Sequence, residues 1–315
     1  MKFSIIIPVK NINDYIIESM EHMQRLLHKD FEIIILPDYN EKITYPKTII
    51  IPTGSVGPAL KRDIGAKKAK GEFLAFLDDD AYPRENWLKN AEKNFADANI
   101  AAVGGPAVTP INESIKRKIS GLIFSCPITS GGAGTYRYVP GKRRYVDDFP
   151  SVNFIVRKSV FEKLNGFDTN FWPGEDTKLC LDIVHKLNMK IIYDPTVLVY
   201  HHRREVYKDH LKQVKSYAIH RGFFAKKYPQ TSFRIGYFMP SIFVLGLLLG
   251  WLFSFVHIFF FYFYIATVLL YIIMALGDSL RHKSLAHYVF IGVILTHLAY
   301  GIFFMQGILS QKLKQ

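Results

Sequence analysis

Three carboxylates in a row, Asp78, Asp79 and Asp80, close the segment GEFLAFLDDD that begins at Gly71. The apolar run ahead of them has the length of a buried strand, and Gly71 reads as the C-cap of a preceding helix. Like charges this close repel, and each raises the pKa of its neighbours unless a cation sits among them. A hard divalent cation with oxygen ligands resolves that conflict. The competing reading is structural: a polar turn, or an Asp N-cap for a helix that Pro83 opens.

A second acid pair, Glu175-Asp176, follows the turn residues of FWPGED and opens a predicted helix running to about Leu187. In isolation such acids are ordinary stabilisers of a helix dipole. A third polar cluster, His201-His202-Arg203-Arg204, stands at the end of a predicted strand.

The elements that must position these groups alternate. Phe3–Pro8, Phe31–Leu36, Thr48–Ile51, Ile100–Val103, Ser151–Val156, Lys190–Tyr193 and Val197–Tyr200 read as strands. Asn13–Leu27, Ala59–Lys70, Glu85–Ala98, Ser159–Leu164 and Glu205–Arg221 read as helices, the last with Leu211, Val214, Tyr217 and Ala218 on one side. That alternation implies right-handed crossovers and an α/β fold with a mainly parallel sheet. Ligands of such sheets bind beyond the carboxyl ends of the strands. Pro8-Val9, Asp38 and Asp78–Asp80 all lie at such ends, so the fold should bring them together.

Lys and Arg number 40 against 27 Asp and Glu, a formal net charge of +13, which asks for an anionic partner. The two cysteines, Cys126 and Cys180, make no disulfide framework and suit a reducing compartment. The run Phe3–Pro8 lacks the long apolar core and cleavage site of a signal peptide, so none is expected. Ser114–Phe124 mixes basic and apolar residues, as either a membrane-surface helix or an ordinary surface helix does. Ser130–Thr135 is glycine-rich and leads to Arg137, Lys142, Arg143 and Arg144, a basic loop over phosphates or a solvated linker.

From Ile235 to Gly277 there is no Lys, Arg, Asp or Glu. That is enough for two membrane spans of about 20 residues each. Tyr237–Leu249 and Phe255–Leu276 are joined by a hairpin at Gly250–Ser254, and Leu285–Leu309 is a third uncharged stretch. The positive-inside rule puts Arg281, Lys283 and the basic N-terminal part on the cytoplasmic side. Three spans then leave Lys312 and Lys314 outside, a mild conflict, though short tails are weak determinants; a re-entrant first hairpin is the alternative to two full spans. His257, His287 and His297 read as interfacial or packing residues.

With these stretches in place, residues 1–230 resemble a family 2 glycosyltransferase of the GT-A fold. SIIIPVKN resembles the family's opening strand, and GPALKRDIGAKKAKGEFLAFLDDDAYP its central signature ending in the acidic DxD motif. FPSVNFIVRKSVFEKLNGFDTNF with GEDTKL resembles the acceptor-side half. HRREVYKDHLKQVKSYAIHRG resembles the stretch after the last strand in membrane-attached members that build exopolysaccharides or lipid-linked glycans. The resemblance implies a GT-A sheet with flanking helices over 1–230, ending in an amphipathic interface helix, and transmembrane helices over 235–310.

It also implies roles. Pro8, Val9 and Asp38 would hold the base and ribose of a nucleotide-sugar, a UDP- or GDP-sugar, with Arg62, Asp78 and Asp79 also on the donor. Asp78 and Asp80 would hold Mg²⁺ or Mn²⁺ on the diphosphate, with His202, in preference to His201, as a further ligand. Asp176 would be the general base towards an acceptor hydroxyl, with Glu175 beside it. Asn153, Arg203, Arg204, Gln213 and Arg221 would contact the acceptor or the diphosphate. Family 2 members invert the anomeric centre by single displacement, so no covalent intermediate is implied.

Departures from the family pattern are local. Pro37-Asp38-Tyr39-Asn40 replaces the usual paired acids with small residues, Asp63 stands where Asn is usual, and Lys178 where a further acid often follows. Gln213 is followed by Val-Lys-Ser-Tyr, not by the rest of the Gln-x-x-Arg-Trp motif of processive synthases, so single addition is expected. The expectation is a multi-pass cell-membrane transferase, its catalytic domain cytoplasmic and its acceptor lipid-linked, with oligomerisation left open. The nearest alternative takes polyprenyl-phosphate itself as acceptor, as dolichyl-phosphate mannose synthases do. An inactive membrane scaffold and a nucleic-acid-binding membrane protein are the alternatives of other classes. No nucleic-acid-binding signature and no G-x-G-x-x-G dinucleotide motif is present.

Overall fold

The structure is a computed structural model and describes residues 1–41, 43–130, 132–169 and 171–313. Lys314 of the basic tail and Gly131 of the glycine-rich stretch lie outside the described residues.

The apolar runs become strands β1 (Phe3–Pro8), β2 (Phe31–Leu36), β3 (Thr48–Ile50), β4 (Phe73–Leu77), β5 (Ala81–Pro83), β6 (Ile100–Gly104), β7 (Ala107–Val108), β8 (Arg144–Val146), β9 (Asn153–Arg157), β10 (Lys190–Tyr193) and β11 (Val199–His201). The helices are α1 (Asp14–Gln24), α2 (Pro58–Lys68), α3 (Trp87–Asn94), α4 (Ile115–Ser125), α5 (Pro127–Ser130), α6 (Gly134–Arg137), α7 (Lys158–Lys163), α8 (Glu175–Leu181), α9 (Lys208–Lys227), α10 (Pro229–Ser232), α11 (Ile235–Phe253), α12 (Ile258–Leu280) and α13 (Ala286–Leu309). The chain divides into two compact units, Met1–Pro110 with Val139–His202, and Ile111–Tyr138 with the chain from Arg203 onward.

The first unit holds an eight-stranded sheet, ordered β3-β2-β1-β4-β9-β6-β10-β8, and a three-stranded one, β5-β11-β7. β1, β2 and β4 are buried at every position, as strands covered on both faces are. Parallel pairing joins β1 to β2 and β4, β2 to β3, and β6 to β10. The register (Pro8 opposite Leu36, Ile6 opposite Phe76) sets the carboxyl ends of β1, β2 and β4 side by side. β9 enters antiparallel between β4 and β6, an exception to the alternation in sequence. Ile5, Ile7, Ile33, Ile35, Phe73 and Leu77 pack against Met20 and Met23 of α1 and Trp87 and Leu88 of α3.

Two expectations are corrected here. Gly71 is no helix cap: α2 closes at Ala69, whose backbone is extended, and Gly71 follows because a Cβ there would lie 2.5 Å from the Ser4 nitrogen. Pro83 opens no helix either. It ends β5, and α3 starts only at Trp87.

In the second unit α9 runs parallel to α13 along its length. Tyr207 donates to the Tyr288 carbonyl at 3.1 Å, His210 Nε2 lies 3.0 Å from Thr296 Oγ1, and Lys226 donates to the Ser310 carbonyl at 2.8 Å. His210 is fully buried between that hydroxyl and Ser120 Oγ of α4, 2.8 Å from Nδ1, and burial pushes its imidazole down to about 4. The two helices meet through glycine. A Cβ on Gly222 would lie 2.1 Å from the Phe304 carbonyl oxygen, and one on Gly307 2.1 Å from that of Ile219. Gly222→Leu is therefore expected to destabilise the chain by about 3 kcal/mol, read from thermal unfolding in detergent, because backbone at that distance cannot be repacked around a side chain. Of the expected inner face of α9, Val214 and Ala218 are buried, while Tyr217 is exposed. α11, α12 and the stretch 283–309 that contains α13 are each long and apolar enough to cross a membrane.

Candidate active site

At the carboxyl end of β4 the chain leaves the sheet, and Asp78, Asp79 and Asp80 bridge directly to β5. β5 pairs antiparallel with β11, His201 opposite Ala81. That register carries His201 Nε2 to 3.0 Å from Asp80 Oδ1. One carboxylate oxygen each from Asp78 and Asp80 and a ring nitrogen of His201 lie within 4.8 Å of one another. Two carboxylates and an imidazole suit Mn²⁺ or Mg²⁺, so the residues present fit the cation the sequence implies. His202 takes a different direction. Its Nε2 lies 2.8 Å from Glu18 Oε2 on α1, and its ring packs against Tyr15 at 4.7 Å between centroids. Among the two histidines it is His201, not His202, that the structure brings to the acids. Asp79 accepts from Asn13 Nδ2, the N-cap residue of α1, at 3.4 Å.

Arg62 on α2 links this group to the second acid pair. Its guanidinium, 3% exposed, donates from Nη2 to Asp78 at 2.6 Å and from Nη1 to Glu175 at 2.8 Å. Burial opposes its charge, but the field of Asp78, Glu175 and Asp176 outweighs that and raises its pKa. Its buried Nε has no hydrogen-bond partner among the described residues. Glu175 is also buried; desolvation pushes its carboxyl up against the pull of Arg62, and Oε2 accepts from the Gly174 nitrogen at 3.1 Å. Asp176 stands one residue further on and is half-buried. The Thr177 nitrogen donates to Oδ1 at 2.8 Å and the Ser151 nitrogen to Oδ2 at 3.4 Å.

The ends of β1 and β2 are tied by a residue that sequence reasoning missed. Lys61, 3% exposed, donates to the Val9 carbonyl at 2.6 Å, to the Leu36 carbonyl at 3.2 Å and to Asp38. The hydrogen bond from Lys61 holds the Asp38 carboxyl below its ordinary range. In sequence Lys61 looks like one of several lysines on a solvated helix; only the packing of α2 against β1 shows otherwise. Pro8, Val9 and Asp38 do converge there, all buried.

Other expected residues fall elsewhere. Asn153 is fully buried, its Oδ1 accepting from Trp87 Nε1 at 2.8 Å and its Nδ2 donating to the Val197 carbonyl at 2.7 Å, so it braces α3 and β9 rather than offering an open contact. Arg203, Arg204, Gln213 and Arg221 belong to the second unit. There Arg203 lies over the Tyr138 ring at 4.9 Å, Gln213 donates to the Tyr217 hydroxyl at 3.0 Å, and Arg221 donates to Ser232 Oγ at 3.1 Å.

Asp63, beside Arg62, accepts from the Phe167 nitrogen at 3.0 Å, and burial pushes its carboxyl up to about 6. A raised folded pKa means that the group's contribution is complete below its unfolded value and is lost as pH rises through about 6. Asp63→Asn, which keeps the acceptor for Phe167, is expected to leave stability unchanged at pH 4 and to raise it at pH 7. The gain is about 1 kcal/mol after allowance for solvent at this partly open site. Denaturant midpoints at the two pH values check this.

Comparison with known proteins bears on the family and the fold. The family described as glycosyl transferase family 2 matches residues 4–164. A protein of Methanococcus voltae named dolichyl N-acetyl-alpha-D-glucosaminyl phosphate 3-beta-D-2,3-diacetamido-2,3-dideoxy-beta-D-glucuronosyltransferase is 25% identical over 300 residues, 88% of this chain and 86% of that protein. The pre-mycofactocin glycosyltransferase of Mycobacterium tuberculosis is 26% identical over 199 residues, 63% of this chain and 40% of its own length. Among solved structures, the mannosyltransferase PcManGT from Pyrobaculum calidifontis, in complex with GDP-Man and Mn²⁺, superposes with a TM-score of 0.59 at 16% identity, over 99% of this chain and 88% of its own. GalNAc-T7 with UDP, GalNAc and Mn²⁺ gives 0.51 at 16% identity over 75% of this chain and 52% of its own. At these identities the likeness is one of fold, and the fold is GT-A.

Proposed function

The chain belongs to glycosyl transferase family 2, and from that premise we propose a single-addition, inverting reaction at a membrane. One sugar passes from a nucleoside-diphosphate-sugar, a UDP- or GDP-sugar, to a hydroxyl of a lipid-linked or membrane-proximal glycan. The observation that carries this reading is the Asp78–Asp80–His201 group, joined through Arg62 to Glu175 and its neighbour Asp176. The donor-side cation group is thus bonded through Arg62 to Glu175, the residue next to the acceptor-side carboxylate.

A divalent cation held by Asp78, Asp80 and His201 would act as a Lewis acid on the departing diphosphate. The protein's own groups do the rest. Arg62 fixes Asp78 in place and keeps positive charge near the anionic donor, and the residues at the ends of β1 and β2 receive the nucleoside. Asp176, held by two backbone N–H groups and half open, takes the proton of the acceptor hydroxyl as that oxygen attacks the anomeric carbon. Glu175 is closed off by Arg62 and by burial and positions the pair rather than sharing that task.

The apolar helices of the second unit support an acceptor presented at a membrane. So does the Methanococcus voltae relative, matched over most of both chains, whose name describes transfer to a dolichyl-phosphate-linked sugar. The basic charge flanking the helices supports the cytoplasmic face as the side of catalysis. A direct test incubates the detergent-purified chain with UDP- and GDP-sugars and polyprenyl-linked sugar acceptors, following nucleoside diphosphate release and product mass. Addition of one sugar, dependent on Mn²⁺ or Mg²⁺, is expected. A ladder of products, or transfer only to unglycosylated polyprenyl-phosphate, would reject the single-addition or the hydroxyl-acceptor reading.

A further inference from the structure

The three apolar helices are not equivalent. Those of α11 and α12 are buried over 11% and 6% of their most apolar stretch, whereas that of α13 is buried over 39%. The element that meets α13 most extensively is α9, and α9 is a charged helix. Lys208, Asp209, Lys212, Lys215, Lys226 and Lys227 are exposed along it, from its first turn to its last. Lys215 Nζ lies 4.6 Å from the Phe303 ring of α13 itself. Because the two helices run parallel from Tyr207 beside Tyr288 to Lys226 beside Ser310, every level of α13 has a level of α9 next to it. The glycine contacts at Gly222 and Gly307 show that the two backbones touch.

This pairing conflicts with an α13 that stands across a bilayer. The hydrocarbon is about 30 Å thick, and a 24-residue helix is about 36 Å long. Standing upright, α13 would carry Lys212 and Lys215 of α9 into the hydrocarbon. Lys at such depth is strongly disfavoured and is found facing a partner or a wet cavity.

The legs of the α11–α12 hairpin behave differently. Each meets α13 through the half nearer its own base. Phe238 packs edge-on against Phe304 at 5.0 Å, and Ser241 donates to the Gly301 carbonyl at 2.9 Å. On the other leg Tyr271 hydroxyl lies 2.8 Å from His297 Nδ1, and Ala275 packs with Val289 and Val293. Beyond these points the hairpin is exposed and apolar, with Leu248, Trp251, Phe253, Phe255, Val256 and Ile258 each about half exposed or more, from 55% to 74% for Phe253 and Phe255. Arg234 precedes α11 and Arg281 follows α12, so both ends of the hairpin carry positive charge.

We propose that only the α11–α12 hairpin enters the hydrocarbon, and that α9 and α13 lie as a pair in the membrane surface across its base, the α9 lysines meeting anionic headgroups. Arg234, Arg281, Lys283 and Lys312 then share one face. The conflict with the positive-inside rule that three spans create at Lys312 disappears. The lipid surface is the partner, its anionic headgroups attracting the lysines and arginines that line that face.

The inference is independent of the transfer reaction and is tested without it. Single cysteines are placed at Lys212, Lys283 and Lys312 of the full chain and labelled in right-side-out and inverted membrane vesicles with a membrane-impermeant maleimide. Cys126 and Cys180 are buried and give the background. Lys283→Cys and Lys312→Cys are expected to label from the same face, and Lys212→Cys to label without detergent. Labelling of Lys283→Cys and Lys312→Cys from opposite faces, or protection of Lys212→Cys until detergent is added, would overturn the proposal.

Discussion

Asp176→Asn is expected to lower kcat by about 10²–10⁴-fold while leaving the fold and the donor KM near their wild-type values. The amide matches the carboxylate in shape; its oxygen keeps the shorter backbone contact, from the Thr177 nitrogen at 2.8 Å, and only the 3.4 Å one from the Ser151 nitrogen is given up. What it cannot do is take a proton. Asp176 stands outside the Asp78–Asp80–His201 group, so donor binding should not feel the change. The measurement is steady-state transfer to a hydroxyl acceptor, with the unfolding midpoint as control. A phosphate acceptor is already ionised and needs no base; near-wild-type kcat in Asp176→Asn would therefore favour a polyprenyl-phosphate acceptor.

Arg62→Ala is expected to have the largest effect on stability of any single change in the site. Arg62 is 3% exposed and is the cation between Asp78, 2.6 Å away, and Glu175, 2.8 Å away. Its removal leaves buried negative charge uncompensated, a loss of about 3–5 kcal/mol. Arg62→Lys should not rescue it, since a point charge cannot make the two-pronged contact. The sign of the pH dependence follows from Glu175, whose carboxyl burial already pushes up. Protonated Glu175 needs no counter-charge, so the deficit narrows as pH falls and widens as it rises. Unfolding of wild type and variant at a series of pH values checks both points. A constant deficit would mean that Arg62 acts by packing alone.

Much of this site is legible in the residues. The apolar runs of β1, β2 and β4 mark buried strands, and the rule that ligands collect at carboxyl ends brings Val9, Asp38 and Asp78 together from sequence alone. The choice between His201 and His202 is not legible. Adjacent residues on a strand face opposite sides, and a shift of one in register exchanges them. Only the pairing of β11 with β5 settles that His201 faces Asp80. Lys61 is hidden for a related reason: a helix that carries Lys61, Lys67 and Lys68 looks solvated throughout, and burial of one lysine depends on the sheet beneath it. The antiparallel β9 has no mark in sequence either, because its direction is set by where the chain returns to the sheet after α4, α5 and α6. In the second unit, composition marks apolar helices of membrane length, but only tertiary packing shows that α13 is flanked by lysine-bearing α9 while α11 and α12 are largely uncovered.

The central claim is that Asp78, Asp80 and His201 hold the cation through which a nucleotide is bound. Thermal unfolding of the detergent-purified chain with UDP or GDP, with and without Mn²⁺, tests it in wild type, His201→Ala and His202→Ala. Stabilisation by one nucleotide is predicted, about 2.7 kcal/mol at 100 times its Kd, dependent on Mn²⁺, lost in His201→Ala and kept in His202→Ala. Full Mn²⁺-dependent stabilisation in His201→Ala, with its loss in His202→Ala, would contradict the account.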